Sequence, residues 1–519
     1  MQNINNKNKK RFSVPRGLEI YRVLLPVFFK VLWTSRNTDS FEYKKSIENL
    51  RDVFQYLGTT FIKLGQLLSA RPDLVGAVVA DTLRSLLDHQ PSIPFSTITE
   101  QLKNSLGVEW EKNFSSFDKT PLSNASIGQV HKAKLKQGEV VAVKIQHPQI
   151  KEEILRDLLF MGKLTKLFDF FLPKSVFSFS LIFEEFSEWI RSEIDFRIEA
   201  KKIEKFASLM KHQEGINSAK VFWEYSTETV LTTSFFQGMN LNTLISMIDS
   251  QQGSTVYSVK LPFKINPDLL IKRLVSALLH QILVDKYFHG DLHPANIILQ
   301  PENKIAFVDF GITGILNNEE HNQLLMILLS FVDNDPESMI SVLLSASTNQ
   351  YTREEQKHLY QQFSHELHKV HQSVTGDIGI NHFLLFLLQL SHTYSVVWSS
   401  GLLLAAKTLA QVDSITNKLG VKTSVINMLQ PNLAHYVTTG LSTKVSKETL
   451  LKNALELIEV AKHIPDSLRE FEEILHQDIS LRKRSNTLPV LWRKVGFTSM
   501  VFVLFPFVYF LFYFQIIKL

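Results

Sequence analysis

A few polar residues, spread along the chain in a fixed order, have the types needed to work on a phosphate. "VAVK" ends at Lys144, "EIDFRIEA" (193–200) holds Glu199, "HGDLHPAN" (289–296) holds Asp291 and Asn296, and "VDFG" (308–311) holds Asp309. Asn296 and Asp309 are oxygen donors suited to a hard cation such as Mg2+. Lys144 can meet the α/β phosphates of ATP, Glu199 can hold that lysine, and Asp291 can orient an attacking hydroxyl or water. Phosphoryl transfer asks for positioning and charge neutralisation more than covalent chemistry, and the set has a part for each. Singly, each motif is weak: a "VAVK" is commonly a strand ending at a surface lysine, and "DFG" is three residues. Their order carries the argument.

A protein-kinase catalytic loop reads H-R-D-L-x-x-x-N before D-F-G. Here the Asp–Asn–Asp skeleton remains, the arginine is gone, and His293 and Pro294 are added. His289 and His293 invite a zinc reading, but the chain has no cysteine and no third ligand stands nearby, so structural roles in the loop are expected. Before Lys144 there is no G-x-G-x-x-G. Residues 121–131 read "PLSNASIGQVH" instead, so Ser123, Asn124, Ala125 and Ser126 predict a stiffer nucleotide loop with hydroxyl and amide donors, flanked by Ile127 and Val130.

The elements around these residues follow from periodicity. Residues 40–115 space apolar residues by three and four, as helices do. From 116 to 235 four short runs read as strands: "QVHKAKL", "EVVAVKIQ", "AKVFWE" and "TVLTTSF". A long helical insert, 150–212, separates the second from the third. That is the order of a kinase small lobe. Residues 236–480 are mostly helical, interrupted by "NIILQ" and "KIAFVDF". The expectation is an α+β, two-lobed, protein-kinase-like fold. Its boundaries are a basic arm at 1–39, a helical extension at 40–115, a small lobe at 116–235, a large lobe at 236–400 and a helical region at 401–494. A transmembrane anchor is expected at 495–519.

Composition agrees with a chain of several domains near a bilayer. The 519 residues are 45% apolar and 21% charged, with a net charge of +5. Absence of cysteine excludes disulfides, thiolate nucleophiles and Cys-based zinc sites. Residues 1–36 hold Lys7, Lys9, Lys10, Arg11, Arg16, Arg22, Lys30 and Arg36 against Glu19 alone. Because the arm runs into "YRVLLPVFFKVLW" (21–33), lipid rather than nucleic acid is its expected partner, with an ordinary core helix as the alternative. Residues 497–517 carry no charge and as a helix would rise about 31 Å, enough to span a bilayer once. Arg482, Lys483, Arg484, Arg493 and Lys494 precede them and predict a body facing the cytoplasm, as at a bacterial inner membrane.

"FIKLGQLLSARPDL" (61–74), "SNASIGQVHKA" (123–133), "VAVKIQHP" (141–148), "EIDFRIEA", "HGDLHPANIIL" (289–299) and "VDFG" resemble, in sequence and order, the UbiB family of atypical kinase-like ATPases. The resemblance runs from about residue 40 to beyond 410 and includes "LLLAAKTLAQVD" (402–413). It implies that the K-x-G-Q segment, matched by Lys63, Gly65 and Gln66, packs over the cleft where a protein kinase would receive a peptide. A cation there needs carboxylates, and Glu193 and Asp195 of the family's E-x-D element are its expected partners. On one helix, Asp195 and Glu199 would share a face and Glu193 would pair with Arg197. The chain departs from the family at Ser123 and Asn124, where alanines are usual, at Gly290 and Ala295, which exchange places with the usual alanine and glycine, and at Ser234 in place of a hinge glutamate.

The resemblance implies a membrane-anchored ATPase that binds Mg-ATP and supports isoprenoid quinone biosynthesis, such as that of ubiquinone, alongside precursor lipids or enzymes of that process. Three alternatives stay open: a small-molecule or lipid phosphotransferase, a nucleotide-binding scaffold without catalysis, and a membrane module with a vestigial kinase remnant.

Overall fold

Alternation along one strand sets the orientation of the small sheet. In β4 (Val140–Gln146), Val141, Val143 and Ile145 are fully buried on one face, which turns Ala142 and Lys144 to the other. The apolar face packs against Ile98 and Leu102 of a helix at Phe95–Leu106, with Trp110, Phe114 and Tyr225 closing a compact core. The computed structural model describes residues 16–421 and residue 428, apart from 36, 38–39, 70, 72–74, 87–91, 172–178, 251–260, 346–350, 373–381, 385, 388–389, 391–393, 395 and 397.

The sheet orders its strands β1-β3-β4-β6, with β2 paired to β3: β1 is Phe114–Phe117, β2 Ser123–Asn124, β3 Gly128–Leu135 and β6 Val230–Ser234. Every pairing in it is antiparallel. A second sheet, β5-β10-β9-β7, joins Ile216–Asn217 (β5), Met239–Asn240 (β7), Ile297–Gln300 (β9) and Lys304–Phe307 (β10). The short pair β8 (Tyr287–His289) and β11 (Thr313–Ile315) brackets the catalytic-loop sequence and the "DFG".

Helices precede, divide and follow the sheets. Before the first sheet lie α1 (Arg16–Thr34), α2 (Phe41–Leu57), α3 (Thr59–Ser69), α4 (Ala77–Leu83) and α5 (Phe95–Leu106). Gly65 of α3 sits so close to its neighbours that a Cβ would come within 2.1 Å of Leu86 and 3.0 Å of Phe54. The K-x-G-Q glycine therefore serves packing. On α1, Ile20 is buried while Phe29 and Trp33 are exposed, so one face belongs to the core and the other remains apolar toward solvent. Arg16 fastens this helix through two 3.0 Å bonds to Asp157, whose side chain is wholly buried.

The helical insert at 150–212 contains α6 (Ile150–Phe171), α7 (Phe179–Glu193) and α8 (Phe196–Leu209). Asp195 causes the last break: with φ −114° it leaves the helical region and its carboxylate accepts the Arg197 N–H as an N-cap. "AKVFWE" makes no strand. Ala219 and Val221 are buried in alternation, but the run contributes only one bridge among the described residues, Val221 to Thr233, because the chain turns into a 3-10 turn at Trp223–Tyr225. The helical remainder comprises α9 (Leu241–Ser250), α10 (Pro267–His280), α11 (Asn318–Val332), α12 (Pro336–Ser345), α13 (Arg353–Gln372) and α14 (Ser400–Lys418). Together these make a kinase-like α+β fold, largely helical.

Residues 439–519 lie outside the described residues, as do Lys7, Lys9, Lys10 and Arg11. The expected anchor at 495–519 and the basic residues before it fall there. Among the described residues, no helix is long and apolar enough to cross a membrane.

Candidate active site

Lys144 reaches the cleft because its strand buries the alternate side chains. Its Nζ lies 2.8 and 3.1 Å from the two carboxylate oxygens of Glu199, on α8, and 3.7 Å from Asp309 Oδ1. Glu199 Oε1 also accepts the Phe310 N–H at 3.3 Å, so one carboxylate ties the small sheet to the "DFG". Phe310 is itself buried, 4.8 Å from the rings of both Phe206 and His289. Burial works against the Lys144 ammonium, yet Asp309 and Glu199 outweigh it and hold its pKa above the ordinary lysine value. Lys144 in turn draws the Asp309 carboxyl down to about 2, against the opposing effect of burial. Asp309 adopts a left-handed φ of 61° and accepts the Gly311 N–H at 3.2 Å.

Lys63 approaches the same cavity from α3. It bonds Glu193 at 3.1 Å and lies 5.7 Å over the Trp189 ring. Glu193 is thus joined to Lys63 and not to Arg197. Asp195 takes Arg197 instead, at 2.7 and 2.9 Å, and stays out of the cavity wall. The expected three-carboxylate helix does not form, because the break at Asp195 separates Glu193 from Glu199.

The cavity wall has three lysines, Lys63, Lys144 and Lys202, facing three carboxylates, Glu193, Glu199 and Asp309. Ala125, Ser126 and Ile127 close one side at the β2–β3 turn, where the Ala125 N–H meets the Gly128 carbonyl at 2.8 Å. Ser126 Oγ is buried without a hydrogen-bond partner in this wall, and Asn124 Oδ1 is likewise buried and unpartnered. Val130 stands opposite Lys144 in the β3–β4 register. Ser123 lies at the exposed start of β2, and Gln66 sits one turn beyond Lys63; neither lines the cavity.

Asp291 and Asn296 form a second cluster, linked to the first through His289. The Asp291 N–H meets His289 Nδ1 at 3.2 Å, His289 Nε2 meets the Val308 carbonyl at 3.3 Å, and the Val308 N–H meets the Asn296 carbonyl at 2.9 Å. His289 is buried, which lowers its pKa and favours the neutral ring. His293 caps the turn at Pro294–Asn296 by accepting the Ala295 N–H. Asn296 gives its amide nitrogen to Asp291 Oδ2 at 3.2 Å, which leaves its carbonyl oxygen for a cation. Burial pushes the Asp291 carboxyl upward, but Lys407 and Gln411 prevail and hold it below the usual carboxylate value.

Lys202, Lys407 and Gln411 were not among the sequence candidates. Lys202, three residues after Glu199, bonds the Gly311 carbonyl at 2.7 Å; that spacing on one helix was its available signal. Lys407 and Gln411 lie within "LLLAAKTLAQVD" but contact Asp291 across 116 and 120 residues, which no local pattern announces.

The residues fit a magnesium-bound triphosphate. An orphaned hydroxyl at Ser126, cations at the wall and hard oxygen donors at Asn296 and Asp309 suit phosphate oxygens and Mg2+.

Comparison with known proteins bears on the same segments. Residues 85–343 match the ABC1 atypical kinase-like domain. The chain is 28% identical to "Uncharacterized protein in hydrogenase 1 5'region" of Clostridium pasteurianum, over 89% of this chain and 84% of that one. It is 27% identical to "Probable protein kinase UbiB" of Aeromonas hydrophila, over 81% and 76% respectively. It spans about half the length of several further curated relatives. In fold it is similar to the Rv3197–erythromycin complex from Mycobacterium tuberculosis, with a TM-score of 0.52 at 21% identity, over 80% of this chain and 97% of that one.

Proposed function

Because the chain belongs to the ABC1 atypical kinase-like family, we propose that it is an ATPase of UbiB type that binds Mg-ATP between its sheet and its helical part. The observation that supports this most is the meeting of Lys144, Glu199 and Asp309 within 3.7 Å beside the unpartnered Ser126 hydroxyl. Lys144, fixed by Glu199, binds the α/β phosphates. Asn296 and Asp309 hold the metal, and Asp291 orients the attacking hydroxyl or water. A bound Mg2+ supplies charge neutralisation across the phosphate oxygens. The Lys63 segment, bolted to Glu193, covers the cleft and limits access by protein substrates.

We further propose that the protein works against a bilayer, with the body on the cytoplasmic side, anchored through 495–519. The exposed Phe29 and Trp33 of α1 support a second lipid contact. Its role is support of isoprenoid quinone biosynthesis, in keeping with its similarity to UbiB. Purified protein, labelled ATP and extracted lipids test the chemistry. Free phosphate that disappears in Asp291→Asn is the expected result, and a labelled lipid or small molecule converts the reading to phosphotransfer. Cells lacking the protein, or carrying Asp309→Asn, are expected to have altered quinone profiles; normal profiles in both overturn the biosynthetic role.

A further inference from the structure

We propose that Lys407 and Gln411 of α14 are positioning residues for Asp291, so that a helix outside the matched kinase-like domain completes the site; this rests on the ATPase reading above. The two residues are four apart and face the same way along the helix. Asp291 Oδ1 accepts from Lys407 Nζ at 3.2 Å and from Gln411 Nε2 at 2.9 Å, whereas Oδ2, among the described residues, accepts only the Asn296 amide at 3.2 Å.

A carboxylate oxygen offers about two lone-pair directions. Oδ1 is therefore filled, and Oδ2 keeps one direction for the hydroxyl or water that attacks the phosphate. The clamp makes the two oxygens inequivalent. Gln411 strengthens it by also accepting the Leu292 N–H at 2.9 Å, so one amide fixes both backbone and carboxylate. Packing holds α14 in reach: a Cβ at Gly290 would come within 2.8 Å of Leu404 and 2.9 Å of Ile312, so the glycine in this loop lets the helix approach. A simple staple is a poor account of Lys407. Its side chain is 33% exposed and that of Asp291 29%, and partly exposed ion pairs contribute little to stability.

The test uses the full chain and measures ATP hydrolysis together with Mg-ADP binding for wild type, Lys407→Met, Lys407→Arg and Gln411→Leu. For Lys407→Met we expect kcat to fall about 10- to 100-fold, while KM and the Mg-ADP Kd stay within about twofold. Lys407→Arg should recover much of the loss. Gln411→Leu should lose about tenfold in kcat alone. A Lys407→Met protein with wild-type kcat, or one losing kcat and Mg-ADP affinity together, overturns the clamp while leaving the ATPase reading intact. Should Lys407→Met fail to fold, Gln411→Leu decides by the same criteria. A wild type that binds Mg-ADP but hydrolyses no ATP overturns the ATPase reading and the clamp with it.

Discussion

Two lysine–glutamate pairs meet in one cavity, yet they are built differently. Lys144–Glu199 joins a strand to a helix inside the matched domain, across 55 residues; Lys63–Glu193 joins the N-terminal extension to α7, across 130. Both are largely buried, with side chains 14% and 8% exposed in the first pair and 10% and 8% in the second. The difference lies in the company. Lys144 meets two carboxylates directly, Glu199 and Asp309, while Lys63 bonds Glu193, lies over the face of Trp189 and acts on Asp309 from farther away. Removing Lys144 alone leaves the Glu199 and Asp309 carboxylates together without the cation they share. Lys63 lies within hydrogen-bond reach of one carboxylate among the described residues, so its loss releases less like-charge repulsion.

The largest effect should come from Lys144→Met. Loss of the cation strands Glu199 beside Asp309, and we expect destabilisation of about 4 kcal/mol in urea melts, with Mg-ADP binding lost. A loss under about 1 kcal/mol would break the contrast. Lys63→Met should destabilise less, by about 2 kcal/mol, and a double-mutant cycle with Glu193→Gln should recover a coupling of about 1–2 kcal/mol. Asp195→Ala, which removes the α8 N-cap, should cost about 1 kcal/mol and leave Mg-ADP affinity within about twofold. That sharpens the assignment of Asp195 to helix capping rather than to the cleft.

The smallest effect is a pH dependence. The Asp309 carboxyl lies lower in the folded chain, at about 2, than its ordinary value of 3.8, so its stabilisation is complete above that ordinary value and is lost as pH falls toward 2. With the side chain 48% exposed, screening reduces the contribution to about 1 kcal/mol. The urea midpoint of wild type should fall more steeply than that of Asp309→Asn between about pH 4 and 2.

The residues of the first pair were legible because local pattern marks them. Alternation in β4 assigns Lys144 to the face opposite Val143 and Ile145, and helical spacing marks Glu199. Partners were less legible than faces. "SEIDF" can continue a helix or break it, since an aspartate serves equally as an i,i+4 neighbour or as an N-cap; tertiary packing chose the cap. That choice sent Asp195 to Arg197 and left Glu193 to Lys63. Lys407 and Gln411 read as polar positions on an amphipathic helix, and only the folded chain brings them to Asp291.

The tie between Arg16 and Asp157 has a mechanical outcome. Gripped at its first residue by a carboxylate sealed from water and buried through Ile20, α1 is tied to α6, so the outward Phe29 and Trp33 are carried on a helix joined to the rest of the fold. Were the proposed lipid contact to form through those two rings, the tie to Asp157 would pass its orientation on to α6.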